Sequence, residues 1–256
     1  MIKGALLGGG IQYTKSPEVH AAIAKTVGEE LIFDVVDVDF GALDGAVEKL
    51  FGGYDGFFVT KPYKTEIKRY LEKANTECGV NFVSSRDRSG YNTDGDGFMR
   101  ALARAFGEIG SIKSALVLGA GGAAYSVTEA LKKSGRTVYV LNRTLMRAVK
   151  LCSTLGAELY TNQSAELVVN CTSLGTNGED VLTALCVLPK FEYAFDLVYA
   201  DKTPFLKRCE KEGARVADGR DMLVYQAIEG DKKLFGRDFD TEATFEKVDK
   251  ILKEQL

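Results

Sequence analysis

The sequence predicts an α/β protein of two domains. Three observations carry that prediction. Short apolar runs alternate with amphipathic segments from Ile2 to Thr60. A second alternation begins at Ala115 and is centred on the glycine turn Gly119-Ala120-Gly121-Gly122. Two helical segments close the chain. With 256 residues, 45% of them hydrophobic, the chain can bury a proper core in each of two modest domains.

Ile2 to Leu7 read as a strand and Glu18 to Val27 as a helix. Leu31 to Val38 read as a second strand, Leu43 to Leu50 as a second helix, and Gly56 to Thr60 as a third strand that ends before Pro62. Such alternation implies a mostly parallel sheet with helices on its faces. From Gly97, FMRALARAF has helical spacing and is expected to carry the chain into the second domain. There Ala115 to Leu118 form a buried parallel strand, a helix opens near Gly122, and Val138, Val140 and Leu141 make the next strand. Glu166 to Asn170 and Ala194 to Val198 follow as short buried strands. Met222 to Leu234 have helix spacing. Phe245, Val248, Ile251 and Leu252 form the apolar stripe of a last helix, with Glu246–Lys250 and Asp249–Lys253 as i,i+4 pairs. The expected organisation is residues 1–96 with 221–256 as one domain and 97–220 as the other. The last helices then return to the first domain, and a ligand cleft lies between the two near the carboxyl ends of the strands.

Composition narrows the function. The net charge is −3, with basic and acidic residues interspersed, so nucleic acid is not an expected partner. No run is long enough to span a membrane, and MIKGALLGGGIQYTKSP lacks the core and cleavage site of a signal peptide. A cytoplasmic protein is expected. Five scattered cysteines without a CxxC read as free thiols, and with a single histidine, His20, no metal site is expected.

The strand–GAGGAA–helix–strand–NRT run has a specific chemistry. In such a turn the first glycine permits the bend and the second lets a pyrophosphate approach the backbone. The helix opening at Gly122 and Ala123 presents N–H groups and a positive dipole end to phosphate. An NAD site usually places Asp or Glu at the tip of the second strand. Here the tip carries Asn142, Arg143 and Thr144, with Arg147 one helical turn on. Guanidinium groups suit a 2′-phosphate, so the expected coenzyme is NADP, held by a Rossmann-type second domain.

A hydride acceptor needs a proton donor on its oxygen. VTKPYK puts Thr60, Lys61 and Lys64 past a strand end, and YNTDGDG puts Asn92, Thr93 and Asp94 in a loop before a helix. A lysine can serve as acid or base when a carboxylate orients it. Taken singly, Lys64 also reads as a surface lysine, Asp94 as a helix N-cap and Asn81 as a turn residue.

Together these motifs resemble the shikimate dehydrogenase family nearly end to end. The family's SxSPxxH appears as Thr14-Lys15-Ser16-Pro17 with His20, and its NVTxPxK as Phe58 to Lys64. Its GAVNT appears as Cys78 to Phe82, and its GxNTDxxG as Gly90 to Gly97. Asn170 to Ser173, Asp196 to Tyr199, Thr203-Pro204 and Met222 to Gln226 also match. The resemblance implies reversible NADPH-dependent reduction of 3-dehydroshikimate to shikimate, in aromatic amino-acid biosynthesis. It implies Lys64 and Asp94 as the catalytic pair. Thr14 and Ser16 would bond the substrate carboxylate, Thr60, Asn81 and Gln226 the ring hydroxyls, and Tyr199 would line the pocket. Thr172 would join the glycine turn in holding the coenzyme. The implied state is a monomer or a homodimer acting on a small molecule. Alternatives are a quinate/shikimate dehydrogenase of broader specificity and a non-catalytic NADP-binding sensor.

Several departures stand out. Phe58 takes the place of an Asn, Phe82 of a Thr, Thr14 of a Ser and Tyr13 of a His, and the loop YADKTP is one residue short. Phe58 is expected to remove an amide beside the substrate strand. His20 is expected to pack or cap, and Cys78 and Cys171 to be small buried fillers.

Overall fold

The computed structural model describes every residue except Tyr13, Glu108, Leu188, Pro189, Ala200, Asp201 and Leu256. The Tyr13 departure and part of the YADKTP loop therefore lie outside the described residues. The chain forms two compact units, Met1–Thr93 with Val224–Leu256, and Asp94–Leu223.

In the first unit the expected alternation is realised as β1 (Ile2–Gly8), α1 (Ser16–Val27), β2 (Leu31–Asp37), α2 (Leu43–Gly53) and β3 (Gly56–Val59). Three short strands follow: β4 (Lys73–Ala74), β5 (Phe82–Ser84) and β6 (Ser89–Tyr91). The sheet order is β2-β1-β3-β5-β6-β4. β1 pairs in parallel with β2 and β3, whereas β5 runs antiparallel to both β3 and β6. Parallel pairing thus rules where helices cross over, and the β5–β6 hairpin is an antiparallel addition. Strands this short show no apolar periodicity, so the sequence alone does not reveal them. Ala5, Leu7, Leu43, Val47, Leu50, Phe57 and Val59 build the core on one face of this sheet. Each of the larger side chains contributes roughly 1.5–3 kcal/mol when taken from water.

The second unit holds α3 (Asp94–Phe106), β7 (Ser114–Leu118), α4 (Gly122–Lys133), β8 (Thr137–Leu141), α5 (Leu145–Leu155), β9 (Glu158–Leu159) and β10 (Leu167–Asn170). It continues with α6 (Val181–Ala184), β11 (Tyr193–Asp196), α7 (Pro204–Lys211) and β12 (Arg215–Asp218). All pairings are parallel, in the order β12-β11-β10-β7-β8-β9. The chain moves outward from β7 to β9 and then returns to β10 on the other side. The carboxyl ends of β7 and β10 therefore flank a topological switch point, where open α/β sheets bind ligands. Leu116, Leu118, Val168 and Ala194 pack beneath Phe205 and Leu206 of α7, whose start is capped by Thr203.

Two helices end the chain, α8 (Arg220–Phe235) and α9 (Thr241–Gln255), and from Val224 onward they belong to the first unit. The Tyr225 and Phe245 rings stack with centroids 4.2 Å apart, and Lys253 pairs with Asp249 at 2.7 Å. No described helix is long and apolar enough to cross a membrane.

Candidate active site

β7 delivers the chain to Gly119, whose φ is +108°. A Cβ there would lie 2.9 Å from Thr172 Cγ2 and 3.3 Å from the Cys171 backbone. Backbone conformation and close approach thus both demand glycine. Gly121 precedes α4 in an extended conformation without a side-chain cap, and nothing lies within 4 Å of where its Cβ would be. Gly121 is exposed, and Ala120, Gly122 and Ala123 lie around it at the mouth of the turn. Open backbone in front of an uncapped helix start suits a pyrophosphate.

β8 ends beside this turn, with the Gly119 N–H donating to the Leu141 carbonyl at 2.8 Å. Past its tip, Asn142 Nδ2 donates to the Thr144 carbonyl at 2.9 Å, and Arg143, Thr144 and Arg147 are exposed around the start of α5. From Asn142 to Arg147 there is no carboxylate to take a ribose 2′-hydroxyl. The donor set fits a 2′-phosphorylated dinucleotide.

Thr172 is held by a network that sequence reasoning does not reach. Its N–H and Oγ1 both donate to Asn170 Oδ1, at 3.0 and 2.7 Å. Asn170 Nδ2 donates to Asp196 Oδ1 at 2.9 Å, and Thr203 Oγ1 donates to Asp196 Oδ2 at 2.6 Å. The matched motifs around Asn170, Asp196 and Thr203 are the available signal. Their mutual contacts span turns and strands that local spacing does not connect. Cys171, expected to be buried, is half-buried, because β10 has just ended there; Cys78 is buried.

Burial raises the Asp196 carboxyl to about 6, against the bonds from Thr203, Val198 and Asn170 that lower it. The folded protein therefore binds a proton that the unfolded chain, at 3.8, releases sooner. Its contribution to stability is full below the unfolded value and is lost as pH rises through the folded one, by about 3 kcal/mol in all. Asp196→Asn should abolish that part of the pH slope. Urea unfolding of both proteins across this range reads it, and equal slopes would refute the assignment.

In the first unit, Thr60 follows β3 and its N–H donates to the Leu7 carbonyl at 2.9 Å. Lys64 is half-buried in the following turn, where its carbonyl accepts from the Val80 N–H at 2.7 Å. That bond seats Asn81 beside the turn. Asn81 is buried, donates from Nδ2 to Thr93 Oγ1 at 2.9 Å and to Gln226 Oε1 at 3.2 Å, and accepts from the Thr93 N–H at 2.8 Å. Thr93 Oγ1 donates to the Gln226 carbonyl at 2.8 Å. Asn81 and Gln226 are therefore brought together, with Thr93 as a partner to which the sequence assigns no role. Asn92 Nδ2 donates to the Gly79 carbonyl. Thr14 Oγ1 and Ser16 Oγ lie 3.1 Å apart at the start of α1. The Lys15 side chain makes no cap, and Thr14 Oγ1 accepts from the Ser16 N–H at 3.2 Å, so both hydroxyls gather at the first turn of the helix.

In the second unit, Asp94 is buried and is the first residue of α3, so it lies inside the helix rather than capping it. The expected start near Gly97 falls a turn late because Asp94-Gly95-Asp96-Gly97 has loop composition. Tyr199 is 48% exposed beyond β11.

Phe58 and Phe82 are core residues rather than pocket lining. They are 3% and 0% exposed, with ring centroids 5.1 Å apart. His20 is buried too, as a packing residue of the second turn of α1 and not as a cap. Its partner Asp231 carries no motif that singles it out in the sequence.

Residues 6–80 match the family described as the shikimate dehydrogenase substrate binding domain, and residues 101–173 match the shikimate / quinate 5-dehydrogenase family. The chain is 36% identical to the shikimate dehydrogenase (NADP(+)) of Moorella thermoacetica, over 98% of this chain and 92% of that one. It is 33% identical to the Brucella canis enzyme of the same description, over 92% and 89% of the two chains. Among solved structures, the shikimate 5-dehydrogenase of Thermus thermophilus, crystallised with NADP(H) and shikimate, superposes with a TM-score of 0.87. Identity there is 30%, covering 98% of this chain and 100% of that one. Fold and site together define a two-unit α/β oxidoreductase of the dinucleotide-dependent class. Within that class, the chain belongs to the shikimate dehydrogenase family.

Proposed function

We propose that this chain catalyses the reversible reduction of 3-dehydroshikimate to shikimate with NADPH. The observation that carries this reading is the buried Asn81–Thr93–Gln226 hydrogen-bonded trio in the unit whose residues 6–80 match a shikimate dehydrogenase substrate binding domain. A small polyol acid needs hydroxyl and amide partners more than aromatic ones, and this trio supplies them already oriented.

Residues 1–96 with 221–256 bind the substrate and residues 97–220 the coenzyme. Thr14 and Ser16, beside the helix start, take the substrate carboxylate. Thr60, Asn81 and Gln226 take the ring hydroxyls, and Tyr199 borders the ring. The coenzyme, when bound, would supply the hydride as NADPH or accept it as NADP+. Lys64, as an ammonium, gives a proton to the carbonyl oxygen as its carbon accepts that hydride, and recovers it in the reverse direction. Asp94 balances the lysine charge and orients it. Gly119 to Ala123 hold the pyrophosphate, with Thr172 against the turn, while Asn142, Arg143, Thr144 and Arg147 select the 2′-phosphate. The protein acts as a monomer or homodimer in the cytoplasm, a reducing compartment in keeping with five free cysteines.

Absorbance of NADPH formed from NADP+ and shikimate tests the reading, with quinate and NAD+ as controls. Turnover with shikimate and NADP+ is expected. NADP+ binding by calorimetry without turnover would overturn it in favour of a sensor. Equal rates with quinate would favour the broader enzyme, a reading that the family matched by residues 101–173 includes by description.

A further inference from the structure

One buried titratable pair has no part in the chemistry above. His20 Nδ1 lies 2.9 Å from both carboxylate oxygens of Asp231, and the two side chains are 2% and 0% exposed. The imidazole is stacked on Phe33, with centroids 4.3 Å apart, and meets the tilted ring of Phe58 at 4.1 Å, the two phenyl rings lying 5.9 Å from each other. Phe58 in turn lies over Gly230, where a Cβ would come within 2.2 Å of its ring. Only a bare helix backbone can approach that ring. The knot therefore joins α1 through His20, β3 through Phe58, and α8 through Gly230 and Asp231, against Phe33 of β2.

α1 and α8 each also carry a residue assigned to the substrate, and β3 leads directly into a third, each one structural repeat away. Ser16 precedes His20 by four residues on α1, and Gln226 precedes Gly230 by four on α8, so each couple shares a helix face. Thr60 follows Phe58 by two residues, on the same face as β3 leaves the sheet. Packing alone would hold three elements together, since apolar groups of similar volume often replace a buried ion pair without loss of stability. A proton between one nitrogen and two oxygens adds direction: it fixes the rotation of α1 against α8, which apolar contact leaves free to slide.

We propose that His20 and Asp231 are positioning residues for substrate binding, holding Ser16, Thr60 and Gln226 in the arrangement that receives the substrate. This rests on the function proposed above.

The test is steady-state kinetics and thermal unfolding of wild type, Asp231→Asn, Asp231→Leu and the double variant His20→Phe/Asp231→Leu, with shikimate and NADP+ varied separately. Asp231→Leu should raise the KM for shikimate roughly tenfold or more, on the scale of one lost hydrogen bond to a charged group, and leave the KM for NADP+ within about twofold. Asp231→Asn keeps one acceptor oxygen and should recover part of the loss. The double variant should regain thermal stability and keep the high shikimate KM. If Asp231→Leu fails to fold, the other two variants decide. Shikimate KM within about twofold of wild type in the folded variants, or its restoration together with stability in the double variant, would reduce the pair to packing and overturn the proposal. A wild-type protein without shikimate turnover would instead sink the functional reading, and this proposal with it.

Discussion

Lys64→Ala should lose roughly 10²–10⁴-fold in kcat, the usual contribution of a positioned acid–base group, while the dissociation constant for NADP+ stays within about twofold. That loss corresponds to about 3–5 kcal/mol of transition-state stabilisation. The structure supports a confined lysine at this position. Its carbonyl is tied to the Val80 N–H, and a Cβ on Gly79 would sit 2.9 Å from the Lys64 Cβ, so the chain passes close on that side. Lys64→Arg should fail to rescue, because a guanidinium keeps its proton. Kinetics and calorimetry on the same preparations check both halves. A Lys64→Ala protein near the wild-type rate would remove the residue from the chemistry. Lost turnover accompanied by lost NADP+ binding would point to a misfolded protein, which thermal unfolding would reveal.

The second large effect concerns coenzyme choice. Arg143→Ala should raise the KM for NADP+ by roughly 10–100-fold, the scale of a charge-assisted hydrogen bond to phosphate, and leave the KM for NAD+ nearly unchanged. Arg143 is exposed beyond β8 in a stretch without carboxylates, so it has the room and the field to meet a 2′-phosphate. Arg147→Ala should act in the same direction with a smaller amplitude, since it stands a turn further along α5. The NADP+ effect should shrink as salt is added, because both guanidiniums are open to solvent. Equal losses with both coenzymes would mean that Arg143 shapes the loop and does not read the phosphate.

The elements legible in the sequence share one property. β1, β3 and β7 are apolar runs buried along most of their length, and α1 and α9 carry apolar residues at helical spacing, so burial is written into local pattern. β4, β5 and β6 are two or three residues long, too short for any pattern to show, and β12 has charged residues at both ends and no buried apolar run. The glycine turn is legible for a related reason: Gly119 answers to a backbone angle and a close approach that no other residue tolerates. The choice of NADP is legible because the carboxylate usual in an NAD site is missing from the stretch Asn142 to Arg147. The Phe58 and Phe82 departures, by contrast, invite a reading as pocket changes, and the fold places both rings in the core.

What the sequence determined by itself was the alternation that makes two α/β units, the dinucleotide turn with NADP as its coenzyme, and the motifs that mark the family. Each of these is written within a few residues of chain. The tertiary structure alone decided which distant polar groups satisfy one another. Asn81 meets Gln226 across 145 residues, Asn170 meets Asp196 across 26, and His20 meets Asp231 across 211. A buried donor or acceptor must find a partner in the fold, and nothing in its neighbouring sequence names that partner. Burial creates the demand, and only the packing of whole elements can meet it.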